Sequence, residues 1–220
     1  TALAVGIVGA LAVGHAQAAA FQLKENSAKG LGRAFAGSTT AWGDASVVAT
    51  NPASMRLLDG RQIQGDLSVI SFSADFEPYS ARNAGTTGPG TGTPISGGNG
   101  GDAGMIAPVP ATYFYTPIND QMHFGMSLTV PFGFKTEYDR DWVGRYHGVT
   151  TDLKAIDLGA SFSYDVNPYV SFGASVFVEH LTIEISNAVD FGAIAFSQSR
   201  GATATLGLVP GSADGFATVE

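Results

Sequence analysis

The amino-acid sequence predicts an all-β fold, specifically an antiparallel β-barrel that spans a membrane, and three observations predict it. Charged residues make up 14% of the chain, against about 25% in typical soluble domains, while glycine, serine and threonine are abundant. Long segments alternate apolar and small polar residues with a period of two, as a wall between lipid and a lumen requires. Beyond the N-terminal apolar stretch, no apolar run is long enough for a membrane-spanning helix.

Composition also excludes several classes of function. The net charge is −8 and the 11 lysines and arginines are scattered, whereas a nucleic-acid partner requires clustered basic residues. Cysteine is absent, which excludes a disulfide scaffold, thiolate metal sites and a cysteine nucleophile. We therefore expect no nucleic-acid partner, no metal site and no cofactor.

The chain begins with the pattern of an export signal peptide, predicted over residues 1–18. Residues 2–13 form an apolar stretch of the right length, and Ala16-Gln17-Ala18 matches an A-x-A cleavage site. The initiating methionine and a basic region are absent, so we expect the signal to be truncated at its start. A short buried helix is the alternative.

Residues 19–60 show neither a helical nor a strand period. They are rich in glycine, alanine and serine, and they contain a turn signal at Asn51-Pro52. From residue 61 onward the alternation with period two dominates. The change in pattern predicts two units, a compact segment of small residues followed by barrel strands.

The clearest strand covers residues 122–134, in which every even position is apolar. At about 3.3 Å per residue and a tilt of about 45°, this length crosses an apolar band of about 25 Å. Strands of soluble domains usually have about 5–6 residues. We therefore expect the even residues to face lipid: Met122, Phe124, Met126, Leu128, Val130, Phe132 and Phe134.

Two residues interrupt this strand near its end. Pro131 has no N–H for a ladder hydrogen bond, and Gly133 is of the residue type found at bulges and kinks. We expect the strand to bend at this point. A harmless irregularity near the rim of the barrel is the alternative.

Four more strands and the start of a sixth follow from weaker alternation, and the connections fall into two size classes. Short turns alternate with long loops, as they do at the two rims of an outer-membrane barrel. Five strands cannot close, and an open edge in lipid leaves unpaired backbone groups, so we expect the N-terminal part of a larger barrel. The strands are predicted at 63–76, 106–118, 156–164 and 170–178, with the sixth beginning at 217–220, the turns at 118–121 and 165–168, and the loops at 77–105, 136–152 and 187–214.

Three aromatic residues lie just past the end of the third predicted strand, in the loop 136–152. They are Tyr138, Trp142 and Tyr146. Aromatic side chains of this kind form girdles at the membrane–water interface. We expect such a girdle here.

Four short motifs carry a family resemblance. They are residues 20–23 (Ala-Phe-Gln-Leu), residues 30–37 (Gly-Leu-Gly-Arg-Ala-Phe-Ala-Gly), the tripeptide Asn51-Pro52-Ala53, and residues 117–121 (Pro-Ile-Asn-Asp-Gln). They resemble the FadL-like long-chain fatty acid transporters of Gram-negative outer membranes, a family with relatives that take up aromatic hydrocarbons. An ordinary turn is the alternative for Asn-Pro-Ala, since asparagine before proline often opens one.

The resemblance implies a barrel of about 14 strands when complete, of which about five are present here. It also implies that residues 19–60 fold back inside the lumen as a hatch that contains Asn51, Pro52 and Ala53. Ligand would bind first in a groove between extracellular loops and then in a pocket against the hatch, where Phe21 lies. It would leave sideways through a kink in the third strand, which the strand count places at Pro131 and Gly133.

The loop 187–214 is too long and too apolar for a plain solvent loop. We expect its apolar residues to line a docking groove; the alternative is a loop that hides them against the barrel rim. Four cations are candidates for pairing with a ligand carboxylate, although charges at the rim and in the lumen are usually just solvated. The groove residues are Phe191, Ile194, Phe196, Leu206 and Leu208, and the cations are Lys135, Arg145, Lys154 and Arg200.

Together these patterns predict a passive transporter for hydrophobic compounds, with long-chain fatty acids the preferred ligand, in the outer membrane of a Gram-negative bacterium. The partners expected are a hydrophobic small molecule and outer-membrane lipid, and the protein is expected to be a monomer. We identify no catalytic residue and no enzyme motif. The alternatives are an aromatic hydrocarbon channel of the same family, a general porin for polar solutes, and a lipase-type enzyme in which a serine and a histidine converge.

Overall fold

The computed structural model describes residues 22–78, 80–83, 92–199, 206 and 210–219. The predicted signal peptide and the candidate residues Phe21, Arg200 and Leu208 lie outside these residues. None of the helices in the described part of the chain is long and apolar enough to cross a membrane.

Six strands form one sheet in which each strand pairs antiparallel with its neighbour in the chain. The all-β antiparallel prediction is therefore confirmed. The strands are β1 (Gln62–Phe72), β2 (Met105–Pro117), β3 (Met122–Glu137), β4 (Thr150–Asn167), β5 (Val170–Asp190) and β6 (Asp214–Val219); the helices are α1 (Ala28–Gly32), α2 (Val47–Thr50), the 3-10 helix Pro52–Leu57 and α3 (Phe191–Gln198).

Strands β4 and β5 are 18 and 21 residues long, so they extend well beyond the predicted 156–164 and 170–178. The extension lies toward the long loops, where Asp152, Lys154 and Glu184 replace apolar residues while the backbone ladder continues. Alternation of apolar residues marks only the part of a strand that faces lipid. The loops 136–152 and 187–214 are accordingly shorter than predicted.

The two faces of the sheet differ in what covers them. Residues 22–60, which we call the hatch segment, pack against one face, the lumen face; the opposite face is the outer face. On β3, Ser127 and Thr129 are buried beneath the hatch segment, whereas 41% of Met126 and 47% of Leu128 is exposed on the outer face. The predicted facing of β3 is confirmed as far as Leu128.

The alternation inverts beyond that point. Thr129 pairs with Asp157, but the next pair is Phe132 with Ala155, so β3 advances three residues while β4 advances two. This extra residue is a β-bulge. Because Ala155 is fully buried on the lumen face, Phe132 and its neighbour at i+2, Phe134, also face the lumen. The expectation that these two phenylalanines face lipid is wrong, because the bulge shifts the period by one.

The core lies between the hatch segment and the lumen face. Val48 and Met55 are fully buried against Tyr113 and Tyr115 of β2. On β3, Gly125 allows this close approach, since a Cβ atom there would lie 2.6 Å from the Val48 side chain. A glycine in the wall therefore admits the hatch side chains.

The loops at the far end of the sheet form a second small core around Trp142. Its ring stacks on Tyr138 at 3.9 Å between centroids, and Phe76 meets it edge-on at 5.3 Å. The indole N–H donates to the backbone oxygen of Gly148 over 3.0 Å. With 7% of its surface exposed, Trp142 belongs to the loop core, and its assignment to an interfacial girdle is wrong. Tertiary packing between two loops decides its position.

Candidate functional site

The ladder between β2 and β3 covers only part of either strand. It runs from the pair Pro117–His123, beside the short turn, to the pair Thr112–Leu128, and no further. Beyond it, β2 continues in register with β1, and β3 continues with β4. We call the paired part the turn half and the unpaired part the loop half. The wall therefore has a gap between β2 and β3 in its loop half.

Prolines lie on both strands at the gap. On β3, Pro131 falls within the bulge between Thr129 and Phe132, while Gly133 is back in register opposite Lys154. On β2, Pro108 and Pro110 lie in the part that lacks a β3 partner. Proline cannot donate a ladder hydrogen bond and is confined to edges and bulges. The two prolines of β2 are the sequence signal for the gap that pattern analysis of β3 alone missed.

The first described residues of the hatch segment occupy the free edge of β3. Gln22 forms an isolated antiparallel bridge with Phe132, and the Leu23 N–H donates to the Pro131 oxygen over 2.8 Å. The Leu23 side chain lies 3.0 Å from the position that a Cβ atom of Gly133 would take. Two residues that are not part of the wall therefore lie along the β3 side of the gap.

A cavity of about 560 Å³ lies at this gap. Its lining combines lumen-face residues such as Val109 and Leu153 with outer-face residues such as Pro110 and Ile156. A cavity lined by both faces of one sheet exists only where the sheet is interrupted. The lining is mostly apolar, and its charged members are Lys135, Asp152 and Lys154.

The lumen face beside the gap carries two apolar rows that run across neighbouring strands. The next row toward the turns is polar, and it places Asp157 beside Glu179. Apolar and acidic surfaces therefore follow one another along the lumen. The two apolar rows are Phe134, Leu153 and Ile183, and Phe132, Ala155 and Leu181.

The Asn-Pro-Ala motif fastens the hatch segment to itself and to the wall. The Asn51 amide donates to the Thr39 oxygen and to the Ser54 hydroxyl, each over 2.8 Å. The Ala53 oxygen accepts from the Ser171 hydroxyl of β5 over 2.8 Å. Next to it, Gly173 lies so close to the backbone of Ala53 that a side chain there would clash. The motif is a point of contact between the hatch segment and β5.

A polar cluster holds the start of the hatch segment together. Asp44 accepts from the Ser27 hydroxyl over 2.6 Å and from the Gln64 amide of β1 over 2.9 Å, and Arg33 lies 3.6 Å away. Burial opposes the charged form of Asp44, but hydrogen bonds from Ser27, Gln64 and Ser46 outweigh it and hold the pKa of Asp44 below its ordinary value. The Asp44 carboxylate thus joins the hatch segment to β1.

A second cluster lies at the turn end. His123 shares hydrogen bonds with the Tyr115 hydroxyl at 2.9 Å and with Asp165 at 3.2 Å, and Arg56 of the hatch segment lies 3.9 Å from Asp165. Ser163 is the register partner of His123 on β4, but it is fully buried, so a substrate cannot reach it. This geometry gives no support to a lipase-type enzyme.

The predicted groove residues that the structure describes lie away from the cavity. Phe191, Ile194 and Phe196 lie on α3, and none of the three lines the cavity between β2 and β3. The Phe191 ring packs on Gly215 of β6. Leu206 is 77% exposed. The predicted groove therefore stays a prediction.

Among the predicted cations, Arg145 is engaged in the loops. It is buried, it pairs with Asp214 at 2.9 Å, and it donates to the backbone oxygens of Ser96 and Trp142. Burial and the hydrogen bond to Asp214 raise the pKa of Tyr146, its neighbour, to about 12. The Arg145 guanidinium therefore joins its own loop to the loop that contains Ser96 and to the start of β6.

The two lysines of the cavity differ from each other. Lys135 pairs with Glu137 at 3.1 Å, whereas Lys154 forms no ion pair within the described part of the chain. Both lie on the outer face. Gly133 and Lys135 alternate with Phe132 and Phe134, which face the lumen, and Lys154 is the register partner of Gly133. Lys154 is therefore the available cation at this site.

Comparison with known proteins gives one family. The profile of the family described as "Outer membrane protein transport protein (OMPP1/FadL/TodX)" matches residues 9–216. The chain is 40% identical over 172 residues to "Outer membrane protein P1" of Haemophilus influenzae, covering 76% of this chain and 37% of that protein. It is 35% identical over 176 residues to "Long-chain fatty acid transport protein" of Escherichia coli K12, covering 79% and 36%.

A solved structure shows the same fold. The crystal structure of a Pseudomonas aeruginosa FadL homologue superposes with a TM-score of 0.68 at 28% identity, and covers 90% of this chain and 46% of that one. The chain thus spans less than half the length of the relatives that it matches. The predicted barrel class and the predicted outer-membrane location are confirmed by these similarities.

Proposed function

Because the chain belongs to the outer membrane protein transport protein (OMPP1/FadL/TodX) family, we propose that it takes part in passive uptake of hydrophobic compounds across the outer membrane of a Gram-negative bacterium. Long-chain fatty acids are the ligand that we propose first. The E. coli relative is named for their transport, and burial of an acyl chain contributes about 0.8 kcal/mol per CH₂ group.

The gap between β2 and β3 is the observation that carries this proposal. A cavity of about 560 Å³ there is lined by apolar residues of both faces of the sheet, which is within the usual size of a small-molecule site. A hydrophobic ligand that passes through it enters lipid without returning to water. The bulge at Pro131, flanked by Gly133, would thus be the lateral exit, and Leu23 would close it at rest.

The packing of the hatch segment supports this route over a general porin. A porin needs an open aqueous lumen, whereas here Val48 and Met55 are fully buried against the lumen face. In addition, the apolar rows that include Phe132, Leu153 and Ile183 would repel polar solutes and favour acyl chains. The structure thus favours a path for apolar compounds.

The test is uptake by a deletion strain that carries the complete gene, with labelled oleate and labelled toluene as separate substrates. Deleting Pro131 removes the extra residue of the bulge, so Val130 would follow Thr129 in register with Ile156 and the ladder would run straight. This change straightens the β3–β4 ladder and removes the bend of β3 beside the gap between β2 and β3. We therefore expect the gap to narrow and uptake to fall at least about tenfold, while the protein still reaches the membrane.

The matched control is Pro131→Ala, which keeps the extra residue and should retain most uptake. Equal uptake by the deletion variant and the parent would rule out the lateral exit. Uptake of toluene but not of oleate by the parent would assign the protein to aromatic hydrocarbons instead.

A further inference from the structure

We propose that Lys154 binds the anionic head of a single-chain amphiphile whose tail lies in the cavity between β2 and β3. This inference rests on the proposed function and names the ligand class: carboxylates, in preference to neutral hydrocarbons. It assigns the position of the head to the outer face of the wall.

The position of Lys154 on the outer face is the first step. Leu128, Leu158 and Val178 form one exposed apolar row across β3, β4 and β5. Four residue pairs further toward the loops, and on the same face, Lys154 begins a charged region. A lysine at the border of an apolar band extends its ammonium group toward the polar side, so a head bound there stays in a polar layer while its tail stays in apolar surroundings.

The lining of the cavity is the second step. Three of its residues are charged. Lys135 pairs with Glu137, and Asp152 lies opposite Lys135 in the register of β3 and β4. Lys154 has neutral register partners, Gly133 and Thr182. The Lys154 ammonium group forms no ion pair with any residue that the structure describes, and it lies at the mouth of an apolar cavity. It therefore matches a carboxylate head through a charge-assisted hydrogen bond.

The third step concerns the lumen face, because its charges exclude a ligand bound with its head toward the lumen. Asp157 and Glu179 are register partners on that face, and an anionic head placed beside them would meet like charges. The tail is therefore the end that points into the lumen. The head remains at Lys154.

The experiment measures equilibrium binding to the product of the complete gene, purified in amphipol, with oleate and oleyl alcohol as probes at pH 8. The two probes share one tail and differ in the charge of the head. We expect Lys154→Gln to weaken oleate binding about tenfold and to leave oleyl alcohol within about twofold. Lys154→Arg should retain oleate binding, and Asp152→Asn should strengthen it by removing a nearby negative charge.

Lys135→Gln is the matched control, since this lysine lies on the same face but is already paired; its effect on oleate should stay under about threefold. An unchanged oleate affinity in Lys154→Gln, or an equal loss for both probes, overturns the inference. If the parent protein binds both probes and Lys154→Gln binds them equally well, only the role of Lys154 is refuted. A parent that binds neither probe refutes the proposed function as well.

Discussion

The turn half and the loop half of the wall between β2 and β3 are built differently. In the turn half the two strands share a ladder from Pro117–His123 to Thr112–Leu128, and the lumen face is filled by hatch side chains such as Val48. In the loop half the ladder is absent, and two hatch residues, Gln22 and Leu23, bond to the free edge of β3. The comparison shows that one pair of strands can be hydrogen-bonded along one end and separated at the other.

The largest effect is expected in the loops that hold the loop half in place. Arg145→Met removes the buried partner of Asp214 and should lower the free energy of unfolding by about 3–5 kcal/mol. Urea titration in micelles, followed by tryptophan fluorescence, measures the free energy of unfolding. Asp214→Asn in the parent protein should lower that free energy by a similar amount. A loss below about 1 kcal/mol would mean that the loop ends do not depend on this ion pair.

The next effect tests the outer face of the turn half. Leu128→Arg places a charge on the exposed apolar row and should cost about 2–4 kcal/mol of barrel stability if that row lies near the middle of the membrane. Leu128→Phe, which stays apolar, should cost far less. Similar unfolding free energies for the two variants in lipid vesicles would contradict the assigned facing of β3.

A matched pair of glycines compares the two halves directly. Gly125 in the turn half faces Val48 and Met55, both fully buried, whereas Gly133 in the loop half meets only the flexible end of Leu23. Gly125→Val should therefore destabilise the protein by about 1–3 kcal/mol through overpacking.

Gly133→Val should cost under about 1 kcal/mol but should displace Leu23 and change the rate of oleate uptake. Urea titration and uptake assays on both variants make the comparison. The opposite ranking of the two stabilities would show that the hatch segment packs more loosely at the turn half than at the gap.

The smallest effect is a pH dependence of the hatch segment. Because the pKa of Asp44 is lowered on folding, its contribution to stability is present above the unfolded value of about 3.9 and is lost as the pH falls through the folded pKa. Hydrogen exchange of the Ala45 amide, measured at pH 6 and at pH 3, should show loss of protection in the parent. Asp44→Asn should show a weaker dependence; an identical dependence would exclude Asp44 as the cause.

Much of the fold followed from local pattern. The alternation in β3 predicted a strand of membrane length and its facing as far as Leu128, and Pro131 marked the place where the ladder is irregular. The sequence predicts a bend at both Pro131 and Gly133, yet Gly133 is in register with Lys154. A glycine in a strand has several uses, and only the structure shows that this one makes room for Leu23.

The candidate site was less accessible to such reasoning. The inverted facing of Phe132 and Phe134 depends on one extra residue in the bulge. The sequence alternates in the same way before and after this residue, so the alternation does not show that the facing changes. Trp142 likewise lies between two tyrosines just past a strand end, which is typical of a girdle at the membrane–water interface. It is buried, however, because it contacts Phe76 and Tyr138. Contacts between residues that are distant in sequence leave no periodic signal.

By itself, the sequence determined the strand class and the residues of the turn half that face outward, because a period of two follows from backbone geometry alone. Only the tertiary structure decided where the wall opens, since that depends on whether β2 and β3 meet along their whole length. It also decided which lysine is available, because Lys135 is paired by Glu137 and Lys154 has no ion pair among the described residues. The pairing of a charge is a property of its neighbours in space, which the order of residues along the chain does not specify.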